Sequence, residues 1–224
     1  MTFSLVARCA ETGMFGVAVS SSSPAVAARC AFTRAGVGAV ASQNITDPTL
    51  GPFALDLMQG GMSASEAISG VRDQGSYTEY RQVLAIDSQG RTAIHSGGNV
   101  LGTWAEAVGR DVIAAGNLLG KPGIPQAIVN GFEVATGHLG DRLIAAMRAG
   151  LAAGGEEGPV HSAGMQIADQ VAWPYVDLRC DWTETCPIET VAAAWDVYKP
   201  QAGDYVKRAL DPTQAPSYGV PGDE

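Results

Sequence analysis

TFSLVAR at residues 2–8 and FGVAVS at residues 15–20 enclose the turn signal ETG at residues 11–13. Both runs are rich in β-branched and aromatic residues, and a glycine-containing turn between two such runs predicts a β-hairpin. Arg8 is the one charged residue in either run, so we expect both faces of each strand to be covered by protein. The sequence therefore predicts a buried hairpin that begins at the first residues.

Strand groups and helix pairs alternate along the rest of the chain. SASE at residues 63–66 has the capping-box pattern, which marks the start of a helix. Strand groups separated by helix pairs predict an α+β fold in which two antiparallel sheets pack face to face with helix pairs outside. Strands are expected at 37–41, 82–86, 91–95, 112–115, 163–168 and 175–180, and helices from Pro52, after Ser63, around Ile128, around Leu143 and from Pro187.

Length and composition fit one enzyme-sized domain. The chain has 224 residues, of which 46% are hydrophobic and 17% charged, so it is long and apolar enough to bury a sizeable core. We expect a single domain over residues 1–210. Residues 211–224 are rich in Pro and Gly without an apolar period, and we expect an extended or loosely held tail there.

Charge and cysteine content exclude several functions. The net charge is −9, with only 14 Lys and Arg, so we expect neither nucleic acid nor an anionic membrane surface as a partner. No apolar run approaches the roughly 20 residues of a membrane span, and we find no secretory signal, so a cytoplasmic location is expected. The four cysteines, Cys9, Cys30, Cys180 and Cys186, match no metal-binding spacing. We therefore expect reduced thiols, no metal and no cofactor.

Thr2 is the first candidate for chemistry. A threonine hydroxyl is a poor nucleophile until a base takes its proton, and the α-amino group of an N-terminal threonine can be that base. The pKa of an α-amino group is about 7.7–8.0, so much of it is unprotonated near neutral pH. Met1 before a small residue such as Thr2 is often removed, and Thr2 would then begin the first strand.

Several motifs together resemble a known prokaryotic family. They are TFSLVAR at 2–8, ETG at 11–13, GVAVS at 16–20, AGVGAVASQ at 35–43, GP at 51–52, GNLL at 116–119 and VDLR at 176–179. The chain resembles the domain-of-unknown-function family ten twenty-eight, which is grouped with the N-terminal nucleophile (Ntn) hydrolases. The resemblance covers roughly residues 2–200 and implies a four-layer αββα sandwich and amide hydrolysis.

The same resemblance assigns roles to individual residues. It implies Thr2 as the nucleophile and places Arg34 where proteasome-like members hold a lysine. Arginine stays protonated, so Arg34 could stabilise charge but could hardly accept a proton. Ser22 stands near the position of a supporting carboxylate in those members, which this chain lacks there. We treat Ser22 as a substrate-binding candidate.

Polar residues after strands are the remaining candidates. The resemblance implies that Ser42, Gln43 and Asn44 form a loop beside the nucleophile, where the Gln43 amide or backbone N–H groups could bind an oxyanion. Asn117 is a second oxyanion candidate, and Ser42 and Asn44 are candidates for binding substrate. His161 follows a glycine-rich loop and is a further candidate. Each of these residues could equally be a turn or capping residue with local hydrogen bonds.

Three functions remain open from the sequence. The first is an amidohydrolase acting on a small amide or peptide, with Thr2 as nucleophile and its own amine as base. The second is a related fold that does not use Thr2 and binds a small metabolite in the same cleft. The third is a structural subunit of an oligomer. In every case we expect a homo-oligomer.

Overall fold

The computed structural model describes residues 1–220 and contains ten strands in that part of the chain. Every pair of neighbouring strands is antiparallel. The strands are β1 (Thr2–Arg8), β2 (Phe15–Ser21), β3 (Ala31–Arg34), β4 (Gly38–Asn44), β5 (Arg81–Asp87), β6 (Thr92–Ser96), β7 (Ala105–Gly109), β8 (Val112–Asn117), β9 (Ser162–Ala168) and β10 (Val176–Cys180).

Seven α-helices connect or flank these strands in the described residues. They are α1 (Ala27–Cys30), α2 (Leu50–Gln59), α3 (Ala64–Gln74), α4 (Ile124–Val134), α5 (Leu139–Ala152), α6 (Pro187–Tyr198) and α7 (Ala202–Leu210). Short 3₁₀ turns occur at Thr78–Tyr80 and Pro212–Gln214. None of the helices within residues 1–220 is both long and apolar enough to cross a bilayer.

The strands form two sheets, which confirms the expected α+β class. The larger sheet has the order β10-β9-β2-β1-β8-β7 and the smaller one β3-β4-β5-β6. The predicted hairpin of β1 and β2 is confirmed, and it lies at the centre of the larger sheet. In that sheet Thr2 lies opposite Asn117 of β8, and this pairing brings the first strand end beside a polar strand end.

Alternation of side chains along the strands creates three apolar layers. One lies between the sheets and includes Val6, Val17 and Leu84. A second packs the outer face of the larger sheet, including Phe3 and Leu5, against α4, α5 and α6. A third packs the smaller sheet against α2 and α3. Because successive strand residues point to opposite faces, each sheet buries both of its faces.

Sequence signals at helix starts agree with the structure in some places and not in others. Ser63 accepts a hydrogen bond from the Glu66 backbone N–H, and the Glu66 carboxylate accepts from Ser63, so the predicted capping box is confirmed. The expected start of the preceding helix at Pro52 is wrong, because α2 begins at Leu50 and Pro52 is its third residue. Short or polar elements were not predicted at all, namely α1, β3, β7 and α7.

The expected loop at residues 42–44 is wrong. Ser42, Gln43 and Asn44 are the last three residues of β4, where they pair with residues of β5. Gln43 lies opposite Gln82 in that pairing. The strand continues through these polar residues because a neighbouring strand satisfies their backbone groups.

The C-terminal segment is partly packed. The Arg208 guanidinium donates a hydrogen bond of 3.0 Å to the Pro216 carbonyl and lies 3.8 Å from the centre of the Tyr218 ring. This contact ties residues 216–218 to α7. Residues 221–224, the end of the expected tail, lie outside the described residues.

Candidate functional site

One end of the layer between the sheets is polar. The side chains that point into this layer change from apolar to polar where β1 begins and where β2, β4 and β8 end. We call this group the polar end. It comprises Thr2, Ser4, Ser21, Gln43, Gln82 and Asn117, all of which are buried. Buried polar groups need hydrogen-bond partners, so their contacts show what each one is free to do.

A ladder of side-chain amides crosses the polar end. The Ser4 hydroxyl donates to Gln43 Oε1 at 2.6 Å, and Gln43 Nε2 donates to Gln82 Oε1 at 2.7 Å. Gln82 Nε2 in turn donates to Ser96 Oγ at 3.0 Å. Asn117 Nδ2 lies 3.4 Å from Gln82 Oε1. Gln43 and Asn117 are therefore brought close to the start of β1, but their amides are engaged in joining the two sheets.

Thr2 lies beside this ladder with its hydroxyl in polar surroundings. Thr2 Oγ1 donates a hydrogen bond of 2.5 Å to the carbonyl oxygen of Met1 and lies 3.4 Å from Ser21 Oγ. The Ser21 hydroxyl donates to the same Met1 carbonyl. Thr2 is only 5% exposed, so Met1 and its neighbours cover the hydroxyl in this form of the chain.

A serine relay connects Thr2 to a guanidinium group. Ser21 Oγ is 2.8 Å from Ser23 Oγ, and Arg29 Nη2 donates to Ser23 Oγ at 2.9 Å. Arg29 Nη1 also donates to the carbonyl oxygens of Pro24 and Ala25, at 2.7 and 3.0 Å. The guanidinium is thus held in place while it orients the two serine hydroxyls.

Glu156 is a buried acid next to the same serines. Its Oε2 accepts a hydrogen bond of 3.0 Å from the Ser22 backbone N–H, and its Oε1 has no hydrogen-bond partner among the described residues. The residue is 5% exposed. Burial raises the pKa of Glu156 to about 7, against the opposing effects of the chain's α-amino group, of Ser22 and of His161. The carboxyl therefore changes its charge near neutral pH.

Arg34 is not brought to Thr2. Its guanidinium forms an ion pair of 2.8 Å with Asp56 and donates to Gln59, both on α2. Arg34 pairs with Gly38, the first residue of β4. Gly38 is five residues before Gln43, a separation of roughly 16 Å along a strand. The basic side chain that reaches the Thr2 neighbourhood is Arg29, five positions earlier in the sequence.

The four expected substrate-binding residues are divided between the site and its surroundings. Ser22 lies in it, through its backbone contact with Glu156. The Ser42 hydroxyl donates to the Asp47 carbonyl. Asn44, in the left-handed conformation with φ of 72°, donates to the Tyr80 carbonyl and accepts from the Leu101 N–H. The side chains of Ser42 and Asn44 thus hydrogen-bond to backbone groups around the end of β4, away from Thr2.

His161 adjoins the site through its backbone. Its N–H donates to the Ser21 carbonyl at 2.8 Å, which extends the pairing of β2 and β9. The ring Nδ1 lies 2.9 Å from the Thr183 carbonyl oxygen, and the ring stacks on Trp182 at 4.3 Å between centres. The His161 ring is therefore occupied by contacts with the segment that follows β10.

Sequence reasoning missed six residues of the site: Ser4, Ser21, Ser23, Arg29, Gln82 and Glu156. Gln82 opens a strand that was predicted, and its alternation with Leu84 and Ile86 indicates that it points between the sheets. Glu156 sits in GGEEG at residues 154–158, which has the composition of a flexible loop. No group of three or more His, Cys, Asp or Glu side chains in residues 1–220 is placed to hold a metal ion.

Comparisons with known proteins agree on one family. The model of a "Family of unknown function (DUF1028)" matches residues 2–191. A crystal structure of a protein from Silicibacter pomeroyi, described as a DUF1028 protein, is 27% identical with a TM-score of 0.85, over 92% of this chain and 90% of that chain. Anbu, an ancestral β-subunit from Yersinia bercovieri, is 13% identical with a TM-score of 0.40, over 92% and 97%, a likeness too distant to carry an argument. No curated protein matches the chain.

Proposed function

Because the chain belongs to the DUF1028 family, whose function is unknown, its activity has to be inferred from its site, and we propose an amidohydrolase with Thr2 as nucleophile. The substrate class is a small amide or peptide, and no cofactor is needed. We further propose that the two sheets and their outer helices form the four-layer αββα sandwich of the Ntn hydrolases. A cytoplasmic location and a homo-oligomer belong to the same proposal.

One observation supports this proposal most strongly. Thr2 is the first residue of β1, and its hydroxyl faces Ser21 at the polar end rather than apolar side chains. A strand end holds a nucleophile rigidly, and the chain's own amine lies on the same residue once Met1 is removed. The serine relay to Arg29 keeps the hydroxyl's surroundings ordered.

The chemistry follows from these groups. The free α-amine of Thr2 takes the hydroxyl proton as Thr2 Oγ1 attacks the carbonyl carbon of the substrate. The carbonyl π electrons move to its oxygen, and the ammonium then protonates the departing nitrogen. Water hydrolyses the resulting ester and regenerates the Thr2 hydroxyl. Each half of the reaction thus passes through an oxyanion that needs a donor.

Ser21 is the donor best placed for that oxyanion. In this structure Ser21 Oγ donates to the Met1 carbonyl oxygen, which lies 2.5 Å from Thr2 Oγ1, so the Ser21 hydroxyl can reach a carbonyl oxygen beside Thr2. Arg29 remains protonated, so it stabilises negative charge through Ser23 and Ser21 and does not act as the base.

The test is turnover by protein whose first residue is Thr2, prepared with a cleavable N-terminal fusion. A panel of N-acyl amides and short peptides supplies the substrates. Thr2→Ala should reduce turnover by at least about a thousandfold, whereas Thr2→Ser keeps a hydroxyl and should retain activity. Thr12→Ala, in the exposed turn between β1 and β2, is the matched control and should have no effect. Unchanged turnover in Thr2→Ala would refute the nucleophile.

A second candidate function is the binding of a small metabolite without covalent chemistry. The observation that favours it is the Met1 carbonyl, which accepts from both Thr2 and Ser21 and so occupies the position beside the nucleophile. Under this alternative, ligand binding tolerates Thr2→Ala but is weakened by Gln43→Ala. Mass spectrometry that shows Met1 retained in functional protein would favour it.

A further inference from the structure

We propose that the Glu156 carboxylate binds the α-ammonium group of Thr2 and so positions the group that takes and returns the proton. This inference rests on the proposed function, because it assigns the partner of the proposed base. Glu156 is then a positioning residue, since it acts through the Thr2 amine and does not itself touch the reacting carbonyl.

Three contacts place Glu156 next to the chain's N-terminus. Ser21 donates to the Met1 carbonyl, while the adjacent Ser22 N–H donates to Glu156 Oε2. On the other side, the end of the Met1 side chain lies close to Gly158: a Cβ atom at that position would be 3.4 Å from Met1 Cε. Met1 therefore lies between β2 and the loop that carries Glu156. Removal of Met1 opens space between Thr2 and that loop.

One carboxylate oxygen of Glu156 lacks a hydrogen-bond donor among the described residues, and an ammonium group could supply it. Oε2 is satisfied by Ser22, but Oε1 is buried and has no partner among the described residues. A buried carboxylate oxygen without a donor is unfavourable, so such an oxygen is rare in folded proteins unless a donor group lies beside it. An α-ammonium supplies N–H donors and the opposite charge.

The loop that carries Glu156 is held firmly enough for this role. Leu119 forms an isolated antiparallel bridge with Glu156, and the Glu157 N–H donates to the Leu118 carbonyl at 3.1 Å. Leu118 follows Asn117 directly and has a positive φ of 50°. The β8 end that lies opposite Thr2 is thus connected by backbone hydrogen bonds to the loop around Glu156.

The proton balance of the reaction explains what Glu156 would contribute. As Thr2 Oγ1 attacks, its proton moves to the α-amine, which becomes an ammonium until it protonates the leaving nitrogen. A carboxylate beside the amine stabilises that ammonium and so the transition state. The titratable groups that act on Glu156 are the chain's α-amino group and the His161 ring, while the Arg29 guanidinium donates to Ser23.

The experiment measures the α-amine directly and does not depend on turnover. Protein beginning at Thr2 is acylated with limiting acetic anhydride across pH 5–10, and mass spectrometry of the N-terminal peptide reports the rate. Only the unprotonated amine reacts, so the profile gives its pKa. Glu156→Gln removes the negative charge and keeps an acceptor for Ser22. Glu157→Gln makes the same change one position away, at an exposed side chain.

We expect Glu156→Gln to lower the α-amine pKa and to raise its acylation rate near pH 7 about tenfold, the effect of losing one nearby opposite charge. Glu157→Gln should behave as the unmodified chain does, and Glu156→Asp, with a shorter reach, should fall between. If the pH profile of Glu156→Gln is identical to that of Glu157→Gln, the inference is overturned. If Glu156→Gln does not fold, Glu156→Asp takes its place in the same comparison. Turnover by the same samples tests the nucleophile separately, since a shifted α-amine pKa without turnover refutes only the proposed function.

Discussion

The two ends of the layer between the sheets are made by the same strands but from opposite kinds of residue. Val6, Val17, Leu84 and Ile113 fill one end and are almost completely buried. At the polar end, a few residues away on the same strands, Thr2, Ser4, Ser21, Gln82 and Asn117 occupy equivalent inward positions.

The difference in residue type between the two ends shows which end stabilises the fold and which end carries reactive groups. A buried aliphatic side chain stabilises the fold by roughly 1.5–3 kcal/mol, whereas a buried hydrogen-bonded amide contributes only about 0.5–1.5 kcal/mol. A chain selected for stability alone would therefore continue the apolar layer to the strand ends. The polar end holds a strand-end hydroxyl instead, and a guanidinium relay and a buried acid lie beside it, as the proposed reaction requires.

The largest expected effect is at the apolar end. Leu84→Ala should lower the free energy of unfolding by about 2–5 kcal/mol, because it leaves a cavity between two packed sheets. Urea denaturation measures this. The control is Leu210→Ala, because Leu210 is 67% exposed. This substitution should change the free energy of unfolding little. A small effect of Leu84→Ala would show that the layer is loosely packed and would weaken the comparison.

The amide ladder provides the next test. Gln82→Ala removes the acceptor for Gln43 and Asn117 and the donor to Ser96. Because buried amides are then left unpaired, we expect a loss of about 2–3 kcal/mol in urea denaturation. Gln89→Ala, in the exposed turn between β5 and β6, serves as control. Equal stability of the two variants would mean that the ladder does not join the sheets.

Two adjacent serines sharpen the comparison further. The Ser21 hydroxyl points toward Thr2, whereas the Ser20 hydroxyl, on the opposite face of β2, donates to the Ser162 carbonyl. Ser21→Ala should reduce kcat/KM about 10–100-fold through loss of an oxyanion donor, besides a loss of stability of about 1 kcal/mol because the hydroxyl is buried and hydrogen-bonded. Ser20→Ala should lower stability by about 1 kcal/mol and leave kcat/KM unchanged. The reverse pattern would remove Ser21 from the site.

A pH-dependent effect is expected from the charge of Glu156. Its pKa in the folded chain is raised to about 7 from 4.5, so the folded state favours the protonated carboxyl. The stability that this proton contributes is fully present below about pH 4.5 and is lost as the pH rises through 7. In protein that retains Met1, Glu156→Gln should therefore match the parent at pH 4 and be about 1–3 kcal/mol more stable at pH 8.

Urea denaturation at both pH values checks this linkage. Glu157→Gln, which alters an exposed carboxylate, is the control and should show no such dependence on pH. A stabilisation by Glu156→Gln that is equal at pH 4 and pH 8 would contradict a buried, titrating acid at this position.

The apolar half of the comparison was predictable from the sequence. Apolar runs with almost no charge mark β1, β2, β4, β5 and β8, and they predict that both faces of these strands are buried, as in two packed sheets. Short edge elements were not predictable, because β3 has four residues and β7 is half-exposed. Their pairing depends on tertiary neighbours that the local sequence does not specify.

The polar half was predictable only in part. Thr2 could be named from its place after Met1, Gln43 from the family resemblance although the expected loop is part of β4, and Asn117 from its place at the end of a strand. Arg29 and Glu156 could not be named, since their positions near Thr2 depend on the path of the chain between strands and helices. Arg29 reaches Ser23 across the bend at residues 22–26, and the loop that carries Glu156 bridges to Leu119. Loop composition alone indicates flexibility there and conceals the buried acid.

The central claim is that Thr2, freed of Met1, is the nucleophile. The most direct measurement is mass spectrometry of active protein after reaction with a β-lactone, an electrophile that acylates nucleophilic hydroxyl groups. The account predicts one adduct per chain, on an N-terminal peptide that begins with Thr2, and no adduct in Thr2→Ala. An active preparation in which every chain keeps Met1, or one whose adduct lies on another residue, would contradict it.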